Sequence, residues 1–359
     1  MTRFVYFALN TNTPNEVKKI KSELAKEWEM TDEGLLFWCL NLRVTRDMQK
    51  GLLKIDQSQY VDEILRRFNM SECNPRKTPM EPKPLMHLDM DPVSNKTDDY
   101  DEIFPYAAAI GSLLYLRLTR PDCLVAISIL ARYMKNPSKT HWLAVKDIFR
   151  YLKGSKLRGL LYAKSIHDIA GPWKLTMYVD SDYATDIDTR RSRAGFLIYL
   201  NKNLIAFNSQ LQRGEHLQKK YPGLRLPETA MDGEPMPSMA TATCGAEYMA
   251  LSLAVKELLW IYMLLKTMDI NIEKPCVVYE DNRSTIKISE NATALRRTKH
   301  IDIRHHFLRE HIDNGLIKLV PVATADQLAD VMTKILGREL FTKFRDIIIS
   351  NIDLTKDNI

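Results

Sequence analysis

Cysteine is scarce in this chain, and the five residues present, Cys39, Cys73, Cys123, Cys244 and Cys276, include no CxxC pair. That excludes the usual spacing of a zinc site and offers no disulfide framework, so a reducing compartment is the simplest expectation. No apolar run reads as approaching the roughly 18 residues of a membrane span. The opening Met1-Thr2-Arg3-Phe4-Val5 lacks a signal-peptide layout. A soluble intracellular protein without membrane contact is therefore expected, its compartment unreadable. Charge of one sign is not in large excess either: 51 Lys+Arg against 45 Asp+Glu give a net +6. So mild a basic bias permits a polyanionic partner without requiring one.

What is present is ordinary globular composition, 45% hydrophobic and 27% charged, in 359 residues, enough for two or three domains. Val17, Ile20, Leu24 and Trp28 at helical spacing, with Thr13 and Pro14 ahead of them, predict an amphipathic helix over 14–30. Alternating Leu40, Leu42 and Val44, a turn near Gly51, and Leu53 and Ile55 predict a hairpin. A short helix with Val61, Ile64, Leu65 and Phe68 follows. From 73 to 100, Pro75, Pro79, Pro82, Pro84 and Pro92 among charges read as a linker. Helices are expected near 103–117, 122–135 and 140–153. After Gly171-Pro172 the period switches to two, with Leu175, Met177 and Val179 alternating, then strands near 194–200 and 203–208. A long helix at 243–267, a strand at 276–280, helices at 283–290 and 298–313, a strand at 316–320 and a final helix from about 325 complete an α/β (α+β) pattern: a mixed five-stranded sheet with flanking helices.

Four acids fall at informative places. Asp180 closes the first of these strands, Asp281 the fourth, and Glu247 and Asp330 lie on expected helices. In such folds ligands bind where the ends of neighbouring strands gather. If the two strands are neighbours, four carboxylates crowd together and repel. Divalent cations resolve that repulsion, Mg²⁺ (or Mn²⁺) taking hard oxygen ligands while keeping waters and substrate phosphate. Two such ions can activate water and stabilise a leaving oxygen.

The strings Tyr178-Val179-Asp180-Ser181-Asp182-Tyr183-Ala184, Ala246-Glu247-Tyr248-Met249-Ala250-Leu251, Glu280-Asp281-Asn282, Arg297 to Phe307 and Gln327-Leu328-Ala329-Asp330 resemble, in order, the ribonuclease H domain of copia-type (Ty1/copia) retrotransposon Pol polyproteins. Upstream, Tyr106 to Leu116, Thr119-Arg120-Pro121-Asp122, Asn136-Pro137 to Trp142 and Arg150 to Gly154 resemble the segment after the reverse transcriptase palm. The resemblance covers nearly the whole chain. It implies a truncated palm remnant at 1–72, the linker at 73–100, a helical thumb/connection-like segment at 101–165 and a ribonuclease H-like domain at 172–349. It implies two ions on Asp180, Glu247, Asp281 and Asp330, cleaving the RNA strand of an RNA–DNA hybrid. Reverse transcriptase activity is not expected, because Phe4-Val5-Tyr6-Phe7 replaces the family's paired-aspartate turn and the other metal-binding Asp would precede residue 1.

Two departures touch the ribonuclease half. Gly245 stands where the family usually has an acid, and 213–239 is a Pro- and Gly-containing insert. Three functional readings therefore stay open: a metal-dependent ribonuclease H, a catalytically inactive nucleic-acid-binding remnant, and an unselected fragment of a decayed element. Arg296, Arg297, Lys299 and Arg304, with neighbouring histidines, are either a solvated helix face or contacts to phosphates of a hybrid or other duplex. Arg190, Arg191 and Arg193 leave the same choice. Asp182, Asp186 and Asp188 read as solvated turn acids, with contact to metal or water the alternative for Asp182, Asp326 as a helix-start acid, and Glu280 as a strand-end charge facing solvent. Protein partners leave no mark.

Overall fold

The computed structural model describes residues 14–27, 34–83, 86–87, 105–164, 172–182, 185–189, 191–212, 239–290 and 307–354. The tetrapeptide Phe4 to Phe7, nearly all of the 213–239 insert, and Arg296, Arg297, Lys299 and Arg304 lie outside them.

Helix α1 spans Pro14–Glu27. Strands β1 (Trp38–Cys39), β2 (Leu42–Asp47) and β3 (Leu52–Asp56) form an antiparallel meander in which Val44 faces Ile55. The turn between β2 and β3 uses Gly51 at positive φ, a conformation glycine adopts without steric cost. Helix α2 (Ser58–Arg67) buries Val61, Ile64 and Leu65. The helical layer is more broken than the periodicity predicts. Helix α3 (Tyr106–Tyr115) is followed by α4, which covers only Leu124–Leu130 between 3₁₀ turns at Pro121–Cys123 and Ala131–Tyr133. Helix α5 (Lys139–Ser155) starts on a capping box, Ser138 accepting from the His141 amide and His141 Nδ1 accepting from the Ser138 amide. Strand β4 (Leu160–Ala163), too short to stand out by period, then returns to pair with β3, Ile55 facing Leu160. Residues on either side of the Pro-rich segment thus share one sheet.

The second sheet has the order β7-β6-β5-β8-β9. Its strands are β5 (Leu175–Ser181), β6 (Arg193–Leu200), β7 (Asn203–Leu211), β8 (Cys276–Glu280) and β9 (Ile317–Pro321). The first three form an antiparallel meander, while β8 pairs parallel with both β5 and β9. This is the mixed five-stranded α/β sheet expected from the sequence. Helix α6 (Met239–Thr267), joined by α7 (Arg283–Glu290) through Ile286, covers one face, packing Leu251, Ala254, Val255 and Leu258 against Leu175, Met177, Val179, Ile198 and Val278. On the other face the Leu328–Met332 turn packs on β5 and β6 and α4 touches β7, so that Leu197, Tyr199 and Leu204 join one core with helices α2 to α5 and the C-terminal helix α8 (Arg338–Ile348). That core runs across the boundary expected between 165 and 172.

Helix α6 corrects one expectation. Its Gly245–Thr267 stretch is long and apolar enough to cross a membrane by length and composition, with a mean hydropathy of 1.5 in its most apolar window. The apolarity has a local cause, since 56% of that window is buried inside the fold. Its outer face leaves Trp260 and Met263 exposed. The final helix is corrected too: two 3₁₀ turns, Thr324–Asp326 and Leu328–Met332, precede α8.

Candidate active site

Strands β5 and β8 are parallel neighbours, Tyr178 facing Tyr279, so their carboxyl ends deliver Asp180 and Asp281 to the same edge of the sheet. Glu247 enters from the first turns of α6, which Gln212 ties to the end of β7 and to β5 by donating to the Ala246 carbonyl (2.8 Å) and to Ser181 Oγ (3.1 Å). One carboxylate oxygen each from Asp180, Glu247 and Asp281 lie within 4.8 Å of one another. Asp180 and Glu247 are buried and Asp281 is half-buried.

Asp330 reaches the site on the 3₁₀ turn at Leu328–Met332 rather than on an α-helix. Gln327, fully buried, donates to the Val179 carbonyl (2.9 Å) and so fastens that turn to β5. Gly195, paired with Asp180 across the sheet, lets the turn lie close: a Cβ there would stand 2.5 Å from Met332 Cβ and 2.8 Å from Thr333 Cγ2. Thr333 donates to Asp180, and Lys334 Nζ bridges Asp330 (2.7 Å) and Asp180 (3.3 Å). Asp281 accepts from Thr324 Oγ1 (3.2 Å). Sequence reasoning named the four acids but not Gln327, Thr333 or Lys334 as their supports; the signal was their place in or just after the Gln327 to Asp330 string.

Glu280 is a further correction. It is fully buried rather than facing solvent, because Cys276, Val278 and Glu280 share the inward parity of β8. One oxygen, Oε1, accepts from the Asn282 amide (3.0 Å), while Oε2 is buried and has no hydrogen-bond partner among the described residues, as is Glu247 Oε2. Burial, then the Glu280 charge, then Asp180, push the Glu247 carboxyl up to about 11. Glu280 is raised well above the carboxylate range, by burial first. Asp281 is raised by burial and by Asp180. Burial and Asp180 lift Asp330 to about 6 although Lys334 opposes them. Burial alone would lower the Lys334 ammonium, yet Asp180 and Asp330 carry it above its ordinary range. The cluster is thus a set of hard oxygen donors with too much negative charge for its burial, including two oxygens without partners. That donor set fits divalent cations such as Mg²⁺ or Mn²⁺.

The neighbouring acids are not solvated. Asp182 is buried and accepts from the Arg193 amide and from Thr185. Asp186 is buried, pairs with Arg132, and accepts from the Thr189 amide (2.8 Å). Asp188 lies 3.3 Å from the same arginine. Arg193 is buried, donating to Ser128 Oγ (2.8 Å), whereas Arg191 is exposed. Asp326 is exposed and pairs with Lys343 at 2.8 Å. Gly245 leaves open space where a side chain would project, so packing does not demand glycine there.

No family model matches the chain. It is 31% identical over 333 residues to the retrovirus-related Pol polyprotein from transposon TNT 1-94 of Nicotiana tabacum, covering 92% of this chain and 23% of that protein. Similar matches join it to the corresponding polyproteins from transposons RE1 and RE2 of Arabidopsis thaliana, at 31% identity over 333 residues and 30% over 328, covering 93% and 91% of this chain. The chain spans 20% of the length of each.

Proposed function

This chain belongs to the retrovirus-related Pol polyproteins of copia-type transposons, and from that premise we propose that it hydrolyses the RNA strand of RNA–DNA hybrids as a metal-dependent ribonuclease H. The observation that carries the reading is the convergence of Asp180, Glu247 and Asp281 from three separate elements to within 4.8 Å, around buried oxygens that lack partners. Such a like-charge cluster costs stability unless it is neutralised.

In this reading Asp180, Glu247, Asp281 and Asp330 would hold two divalent ions. When bound, ions of this kind activate a water for attack on the phosphodiester and stabilise the departing oxygen. Thr333 and Thr324 orient Asp180 and Asp281, and Gln327 keeps the Asp330 turn against β5. Lys334 supplies positive charge between Asp180 and Asp330. A hybrid carries 2′-hydroxyls on one strand only and is read through backbone and shape, so sequence preference is weak. Phe4-Val5-Tyr6-Phe7 offers no carboxylate, and no polymer synthesis is assigned to it.

A second reading, hybrid binding without turnover, is favoured by one contact: Lys334 already occupies the gap between Asp180 and Asp330. Both readings face the same experiment, cleavage of a labelled hybrid by the full chain in Mg²⁺, Mn²⁺ or EDTA beside Asp281→Asn. Hydrolysis requires metal-dependent loss of the RNA strand that drops more than about a hundredfold in the variant. Bound but intact hybrid in every metal would leave only the binding role.

A further inference from the structure

A basic feature that includes none of the four acids lies where the Pro75–Lys77 segment, the end of α5 and the end of α8 meet. They enclose a cavity of about 280 Å³ lined by Arg76, Lys77, Arg158 and Arg345, with Ser155 and Asn351. No lining residue is acidic. The chain makes this approach possible at Gly154, where a Cβ would stand 2.9 Å from Pro75 Cβ.

The surrounding acids do not balance the four cations. Asp346 is shared by Arg158 (2.8 Å) and Arg345 (2.9 Å), a single carboxylate for two guanidinium groups. Arg76 pairs with Glu81 (2.6 Å) and with Asp147, which also serves Arg150 (2.6 Å). Lys77 is exposed and has no acidic partner among the described residues. The volume is about twentyfold the ~10–15 Å³ that one water needs, yet it sits at the lower end of small-molecule pockets. A compact anion fits such a space better than a base with its sugar. Guanidinium forks match phosphate oxygens in pairs.

We propose that this cavity is a phosphate-binding site, taking either a free oligophosphate or the terminal phosphate of a nucleic-acid strand. The proposal is independent of hydrolysis at the acidic cluster.

Tripolyphosphate titrated into the full chain by calorimetry, in EDTA so that no divalent ion is present, tests it. Binding is expected, weakened at least tenfold by Lys77→Glu and unchanged by Lys202→Glu in the turn between β6 and β7. Arg158→Gln, which keeps a hydrogen-bond donor, should weaken it as well. Absence of binding by the folded chain, or equal weakening by Lys77→Glu and Lys202→Glu, would overturn it. A second arm compares 5′-phosphorylated with 5′-hydroxyl oligonucleotides. A preference for the 5′-phosphate that disappears in Lys77→Glu assigns the strand end, whereas tripolyphosphate binding without that preference assigns the free anion.

Discussion

Asp122 and Glu280 are both carboxylic acids withdrawn from solvent, yet their surroundings drive them in opposite directions. Burial would raise Asp122, but the charge and hydrogen bonds of Arg120, with the Tyr151 hydroxyl, overcome it and hold the acid below its usual range. Arg120 also donates to the Ser155 carbonyl (3.1 Å) and hydroxyl (2.7 Å), so this network in the helical layer is closed. Glu280 is surrounded by Glu247, Asp281 and Asp180, and burial adds to their repulsion. The same functional group at similar depth is therefore a balanced ion pair in one region and part of a crowded like-charge cluster in the other.

Breaking the closed network is expected to have the largest effect on stability. Arg120→Met should cost about 3–5 kcal/mol by leaving Asp122 buried and unpaired, measured by chemical denaturation. The open cluster should respond with the opposite sign: Glu280→Gln, assayed in EDTA, should raise stability by on the order of 1–3 kcal/mol because it removes a buried acid that resists ionisation.

The pH windows separate the two regions further. Glu247, raised to about 11, keeps its proton in the folded chain while the unfolded chain releases it near its ordinary value of about 4.3. Its contribution to metal-free stability is thus full below about pH 4 and falls as pH rises. Melting temperatures in EDTA should decline from pH 5 to 9, and Glu247→Gln should flatten the decline. Asp122, depressed instead, contributes stability that is present above about pH 4 and lost only on further acidification.

Smaller effects are expected around the seam between sheet and 3₁₀ turn. Gly195→Ala should cost about 1–3 kcal/mol by pushing Met332 and Thr333 off β6, with hybrid cleavage falling further than stability alone explains. Lys334→Gln should cost roughly 1 kcal/mol or less in EDTA, its side chain being about a third exposed, and should enlarge the thermal stabilisation produced by Mg²⁺. An unchanged Mg²⁺ response would separate Lys334 from the proposed ion site.

Much of this organisation was legible in the residues. Leu175, Met177 and Val179 announced β5 by period two, and the order of the acids placed Asp180 and Asp281 at strand ends that turned out to be adjacent. Strand β4 was not legible, because four residues carry too little period and its partner lies more than a hundred positions upstream. Glu280 overturns the expectation of a solvent-facing charge, because the parity it shares with Cys276 and Val278 carries it inward in spite of its carboxylate. Asp182 and Asp186 look like turn acids in one dimension and acquire partners, the Arg193 amide and Arg132, only in three. The apolar run in α6 reads differently once a sheet lies under it.

The seam between the two sheets has a consequence for how the chain can be divided. Asn203 at the start of β7 accepts from the Ala163 amide (2.8 Å) and donates to the Ala163 carbonyl (3.1 Å), while Leu197, Tyr199 and Leu204 are covered by the helical layer. The residues from 172 onward are accordingly no portable cassette. Separated at 165–171, they would keep the Leu328–Met332 turn and α8 on that sheet face but lose α4 and β4 from beside β7, and recombination or trimming there would have to import a substitute for that part of the roof.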